Sequence, residues 1–172
     1  MNYQFLANTR LFRGISVDEL EKMLACFSVQ TRQYEKGSLI LRAGQTVSAI
    51  GLVLSGNITI ENNDLWGNRT VMDRLGAGAI FAESYALTPE EILMVDIVAN
   101  EPTEVLFLQT RAILNPCQKS CYSHRALLGN LLAISSQKNL HMSRHILHTS
   151  PKTIRGRLLS YLSFFAQKEG NY

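Results

Sequence analysis

Ala49-Ile50-Gly51-Leu52-Val53-Leu54-Ser55-Gly56-Asn57-Ile58-Thr59-Ile60-Glu61 reads as two short β-rich runs, 49–55 and 57–61, parted only at Ser55-Gly56. Glycine there supplies the positive φ or tight turn that a hairpin requires. The same texture extends both ways. Further runs at 29–34, 38–42, 69–75, 92–98 and 104–109 are separated by Glu35-Lys36-Gly37, Ala43-Gly44-Gln45, Asn62-Asn63-Asp64 and Gly76-Ala77-Gly78. Short strands recurring about every 8–12 residues between turn signals predict a β-sandwich or barrel.

The flanks are helical. Leu6, Leu11, Phe12, Ile15, Leu20, Met23, Leu24 and Phe27 keep helical spacing apart from a break at Gly14, and Ser16 with Glu19 forms a capping-box pattern, so two short helices are expected. Beyond Gln109 no strand signal survives. Residues 120–149 read as one long helix carrying Leu127, Leu128, Leu131, Leu132, Ile134, Leu140, Met142, Ile146 and Leu147. Such a helix exposes more apolar surface than one small domain can cover, which predicts a homodimer with Leu127, Leu131 and Ile134 in its seam. Ser150-Pro151 stops it, since proline disfavours helical geometry in the residue before it. A second helix, 151–167, presents Ile154, Leu158, Leu159, Leu162, Phe165 and Ala166 beside Lys152, Arg155 and Arg157. The fold class is α+β.

A chain of 172 residues, 46% hydrophobic, can bury one sizeable core. No apolar run approaches the roughly 20 residues of a membrane span, and no secretory signal opens the chain, so a cytoplasmic protein without a membrane partner is expected. Cys26, Cys117 and Cys121 follow no zinc or disulfide-framework spacing, although Cys117 and Cys121 would share one helical face. The net charge of +3 conceals segregation. Residues 1–104 hold 8 Lys and Arg against 13 Asp and Glu, whereas 105–172 hold 9 basic residues and one acid, Glu169. That basic half suits either an anionic partner such as nucleic acid or a solvated helix.

The order helix, glycine-punctuated strands, long helix, break and amphipathic helix is joined by specific residues. Phe12-x-Gly14-Ile15-Ser16, Tyr34-x-Lys36-Gly37, Gly44-Gln45, Ile50-x-x-Val53-Leu54-Ser55-Gly56 and Gly78-x-Ile80-Phe81-Ala82-Glu83 resemble the effector domain of CRP/FNR transcription regulators. The resemblance implies a cyclic-nucleotide-binding-type β-roll, a jelly-roll form of double-stranded β-helix. The expected divisions are an effector-sensing roll with its N-terminal helices at 1–119, a dimerisation helix at 120–149, and a hinge with the first helix of a DNA-binding domain at 150–172. Pro151-Lys152, Arg155 and Arg157-Leu158 resemble that hinge. In such regulators a winged helix-turn-helix follows and meets DNA and RNA polymerase. The chain stops before it, and a shortened form of a longer regulator is expected.

Relatives that bind cyclic AMP hold its phosphate with an Arg-Ser or Arg-Thr pair and its ribose with a glutamate. The resemblance places the glutamate at Glu83 and the Arg-Ser positions at Leu93 and Met94. An ionised phosphate leaving water needs a charge-assisted partner, and no Arg or Lys occurs between Arg74 and Arg111. An unknown small-molecule effector other than cyclic AMP is therefore expected, lined by Glu83, Ser84, Tyr85, Leu93, Met94, Leu127 and Leu131. Glu83 also suits a structural acceptor for turn amides, and Tyr85 a half-buried packing residue. Trp66 belongs to a hairpin tip, 64–68, where it meets either a neighbouring domain or its own roll.

His141, His145 and His148 are spaced by four and three residues on one helical face, an arrangement fit for a transition metal, a pH-sensitive seam or plain solvation near a helix C-terminus. The single cysteine of residues 1–26 does not supply the iron–sulfur cluster of the oxygen-sensing branch, and no haem ligands are identified, so no cofactor is expected. A cupin-type metalloenzyme shares the strand pattern, but no histidine precedes His124 to ligate its metal. A stand-alone ligand module that touches no DNA is the other alternative. No nucleophile–base arrangement or phosphate loop stands out, so the protein is expected not to be an enzyme.

Overall fold

The computed structural model describes residues 1–27, 29–63, 66–115 and 122–169. Two short helices open the chain, α1 (Tyr3–Ala7) and α2 (Val17–Cys26). The capping box predicted for α2 is formed in full. Ser16 Oγ accepts from the Glu19 amide, and the Glu19 carboxylate accepts from the Ser16 amide at 3.2 Å and hydroxyl at 2.7 Å. These two acceptors satisfy amides that a helix N-terminus otherwise leaves to water.

Among the described residues eight strands follow: β1 (Gln30–Tyr34), β2 (Leu39–Leu41), β3 (Ala49–Ser55), β4 (Asn57–Asn63), β5 (Arg69–Gly76), β6 (Ile80–Phe81), β7 (Asp96–Ala99) and β8 (Thr103–Gln109). They form two antiparallel four-stranded sheets, ordered β1-β8-β3-β6 and β2-β7-β4-β5. This is the expected β-roll. In the first sheet Leu52 pairs with Leu106 and Ile50 with Leu108, and all four are fully buried. Val53 and Val105, which pair on the opposite face, are buried too, which explains why the quoted stretch reads as a nearly unbroken apolar run. Gly56 turns β3 into β4 at φ +79 beside Thr103, leaving no room for a Cβ.

The second sheet carries polar cross-links. Glu61 on β4, 5% exposed, meets Arg69 on β5, and Asn63 donates to Asp96 at 3.0 Å. The run expected at 92–98 forms a strand only from Asp96, with an isolated bridge between Thr46 and Ile92 before it. The reason is a contact with a turn distant in the chain. Leu93 spends both backbone groups on a turn, its amide donating to Gln45 O and its carbonyl accepting from Gly44 N, so no neighbouring strand can pair with it.

Three elements escape the sequence reading, namely β6, the one-turn helix α3 (Glu83–Ala86) and α4 (Thr110–Leu114), each shorter than a helical or strand period needs to show. The long helix is α5 (Tyr122–Thr149), followed by α6 (Ile154–Glu169). Helix α6 begins three residues after Pro151, because the Thr153 hydroxyl accepts the Gly156 amide and takes the capping role. Cys117 and Cys121 lie outside the described residues.

The chain forms two compact units, Met1–Leu132 and Ala133–Tyr172, and the division falls inside α5. Within the first unit, the start of α5 is anchored by Asn130, whose Nδ2 donates to Leu11 O and Arg13 O, and by Leu127 and Leu131, 0% and 4% exposed. Within the second, α5 and α6 meet through His148, which pairs with Ser160 at 3.0 Å and packs on Tyr161 and Phe164.

Candidate functional site

The candidate site is built on the turn leaving β6. Gly78, at φ +84, donates its amide to Val53 O, and Ala79 O accepts from Val53 N, which ties the approach to β3. Ala82 then adopts φ 59 and ψ 11, the left-handed region, and is the one non-glycine with positive φ among the described residues. A Cβ costs about 1–2 kcal/mol there. Such strain persists only where surrounding contacts enforce it, and it concentrates at functional sites. Ala82 holds the turn so that α3 starts at Glu83 and packs against β3.

On α3, Glu83 and Ala86 are buried, Tyr85 is half-buried and Ser84 is exposed. Hydrogen bonds from Thr88 Oγ to Ser84 O and from Glu91 N to Thr88 O continue the turn into the loop. Leu93 lies at the far end of that loop, 1% exposed and clamped by Gly44 and Gln45, while its neighbours Ile92 and Met94 are 53% and 71% exposed. Asp96 fixes the exit, its carboxylate accepting from Ala43 N and Asn63 Nδ2.

The predicted effector residues therefore occupy three settings. Glu83, Ser84 and Tyr85 share α3 on β3; Leu93 is packed at the β2–β3 turn with Met94 facing outward; Leu127 and Leu131 lie on the buried side of α5. None of them lines either of two surface grooves. The larger, about 560 Å³, is bounded by Met1, Asn2, Phe5, Thr31, Leu54 and Glu104. The smaller, about 180 Å³, lies among β1, β2 and β8 and includes Arg32, whose guanidinium sits 5.8 Å from the Phe107 ring centre. Chemically, the α3 turn and the loop to β7 combine a buried carboxylic side chain with apolar groups. No Lys or Arg comes from residues 75–110 to receive a phosphate.

The predicted seam residues Leu127, Leu131 and Ile134 are already covered within a single chain, at 0%, 4% and 8% exposure. The apolar side chains that α5 leaves exposed are Leu132, Leu140, Met142, Ile146 and Leu147. Trp66 stands 85% exposed beside β5, an edge strand with Val71 and Met72 also exposed.

Two residues to which the sequence reading gave no structural part lie near the start of α5, His124 buried and Asn130 half-buried. His124, 3% exposed, contacts Ile113 O through Nε2 at 2.6 Å and meets Phe27 edge-on at 5.8 Å. A carbonyl can only accept, so Nε2 carries the proton. Asn130 is the second. The sequence reading assigned neither a role, and the only signal it held for them is a lone polar residue inside an apolar helical pattern, since a polar group shielded from water must find a partner.

The chain is similar to the cyclic AMP receptor protein of Thermus thermophilus, 34% identical over 98 residues, which is 57% of this chain and 44% of the relative. It thus spans less than half the length of that curated relative. A crystal structure of the Thermus thermophilus catabolite activator protein superposes with a TM-score of 0.66 at 26% identity, covering 80% of this chain and 62% of that one. The sensor domain of the transcriptional regulator DNR from Pseudomonas aeruginosa shares the fold, with a TM-score of 0.60 at 21% identity over 88% of this chain and 93% of the other. The sequence profile of the cyclic nucleotide-binding domain matches residues 31–120, more than half of the chain, which therefore belongs to the cyclic nucleotide-binding domain family.

Proposed function

We propose that the chain is the sensor and dimerisation region of a CRP/FNR-type transcription regulator that responds to a small molecule other than cyclic AMP. The observation that carries this reading is Leu93. It is apolar, 1% exposed and held by backbone hydrogen bonds on both sides, at the position where the resemblance expects a phosphate-binding arginine. A cyclic phosphate brought there would lose its hydration with no cation from the same loop to compensate, at a cost of several kcal/mol.

Glu83, Ser84, Tyr85 and Met94 are the groups offered to an effector, and Leu127 and Leu131 carry a shift of the roll into α5. The regulator acts in the cytoplasm as a homodimer and catalyses nothing. The rest of the full-length protein meets DNA and RNA polymerase. A second copy docks on the side of α5 opposite Leu127 and Leu131. There Leu132, Ser136, Leu140, Ser143 and Leu147 are all exposed and step by four, four, three and four residues, which keeps them on one face of the helix. Two serines in that stripe make a weak seam, suited to one whose geometry an effector can bias.

Thermal unfolding tests the effector claim. A ligand at about a hundred times its dissociation constant stabilises by roughly 2.7 kcal/mol. Cyclic AMP and cyclic GMP at millimolar concentration are expected to leave the midpoint unchanged, while a member of a metabolite panel raises it. A clear rise with either cyclic nucleotide would overturn the reading of Leu93.

A further inference from the structure

Of the three histidines late in α5, two are exposed. Neither the His141 nor the His145 ring makes a hydrogen bond, ion pair or ring contact with a described residue. His148 is committed elsewhere. Its Nδ1 pairs with Ser160 of α6, its Nε2 is enclosed without a partner, and its ring lies against Tyr161 and Phe164. The expected triad is thus a pair.

We infer that His141 and His145 form a two-imidazole chelate for a borderline transition-metal ion of the Zn²⁺, Ni²⁺ and Cu²⁺ class. Residues four apart on a helix hold their Cβ atoms about 5–6 Å apart. From there both rings converge on one ion at the roughly 2.0–2.1 Å that imidazole–metal bonds require. The helix backbone fixes this spacing in advance, so binding orders only the side-chain torsions.

Charge decides whether a cation is tolerated, because the surrounding helix is basic. Lys138, three residues before His141, has an interaction of its own; Arg144, next to His145, has its guanidinium 5.6 Å from the Phe164 ring centre of α6. It is therefore engaged away from the imidazoles. Among the described residues no three His, Cys, Asp or Glu side chains gather at a metal-sized site. The chelate accordingly has two protein ligands, with its remaining positions open to water or to an exogenous ligand. Without carboxylates it selects nitrogen-seeking ions over Mg²⁺ and Ca²⁺, which require oxygen. The site is separate from the α3 turn and does not depend on what binds there.

The test is titration of Ni²⁺, Zn²⁺, Cu²⁺ and Mg²⁺ into the full chain, read by calorimetry and by competition with a chromogenic chelator. The expected result is one site per chain for the first three and none for Mg²⁺. H141A and H145A should each weaken that site by at least about tenfold, and H148A should leave it unchanged. Paramagnetic broadening by Cu²⁺ should fall first on the His141 and His145 ring resonances. Both side chains are exposed, so the variants should keep the helical signal of the parent by circular dichroism. Equal binding by the parent and the H141A/H145A double variant would overturn the inference, as would loss of binding in H148A alone.

Discussion

Ala82 and Gly51 show how single positions set the geometry of the α3 turn. Ala82 sits in the left-handed region at φ 59, where glycine is free of Cβ strain. Subtracting the entropy glycine loses on folding from the strain it relieves leaves at most about 1.5 kcal/mol in favour of Ala82→Gly. Denaturant unfolding should show that gain, whereas Ala82→Val should lose stability. Gly51 pairs with Phe81 across β3 and β6, and a Cβ there would fall 2.1 Å from the ring's Cζ. Phe81 is fully buried and edge-on to Phe107, so it cannot swing aside. Gly51→Ala is therefore expected to cost about 1–3 kcal/mol, and Gly51→Ala combined with Phe81→Leu less than the sum of the two, in the same measurement.

At the scale of elements, α2 depends on its N-terminal box. The hydrogen bonds from Ser16 to the Glu19 carboxylate hold that group below the ordinary carboxylate range. A carboxylate whose folded pKa is depressed contributes stability that is present above its unfolded pKa and disappears as pH falls through the folded value. The contribution of Glu19 is thus complete at neutral pH and vanishes on the acid side. Glu19→Gln should destabilise the protein at neutral pH and make progressively less difference as acidification protonates the carboxylate, as thermal melts over an acid pH series would show. Ser16→Ala removes the reciprocal acceptor and should cost about 1 kcal/mol at neutral pH.

Helix α5 separates two kinds of leucine. Leu127 is fully buried in the first unit, and Leu127→Ala should cost about 2–5 kcal/mol. Leu140 is 55% exposed, and Leu140→Ala should stay within about 0.5 kcal/mol for the isolated chain. Self-association should respond in the opposite way. If the proposed α5 seam forms, Leu140→Glu, like Leu147→Glu, is expected to shift sedimentation toward the monomer by placing charge in it, while Leu127→Ala leaves the self-association of any remaining folded fraction unchanged.

For the molecule as a whole, the charge asymmetry follows the division into units. The acid-rich part of the sequence builds the roll. The second unit carries Lys138, Arg144, Lys152, Arg155 and Arg157. No helix among the described residues is long and apolar enough to cross a membrane. Helix α5 contributes its first turns to the core of the first unit and pairs with α6 near its end, within the second.

The alternation of apolar runs with glycine-bearing turns determined a β-sandwich or barrel, which the resemblance narrowed to a β-roll, because strand period and turn chemistry are local properties written in consecutive residues. The capping box and the stop at Ser150 were legible for the same reason. Helical periodicity likewise announced α5 and its apolar content, but it could not say which leucines face inward. Leu127 and Leu131 differ from Leu132 and Leu140 only in what the fold brings against them. The left-handed Ala82, the clamp that Gly44 and Gln45 place on Leu93, the buried His124 and the withdrawal of His148 onto α6 were decided by tertiary structure alone. Each depends on groups far apart in the chain or on a neighbouring helix, and no pattern of adjacent residues encodes a distance closed only when the chain folds.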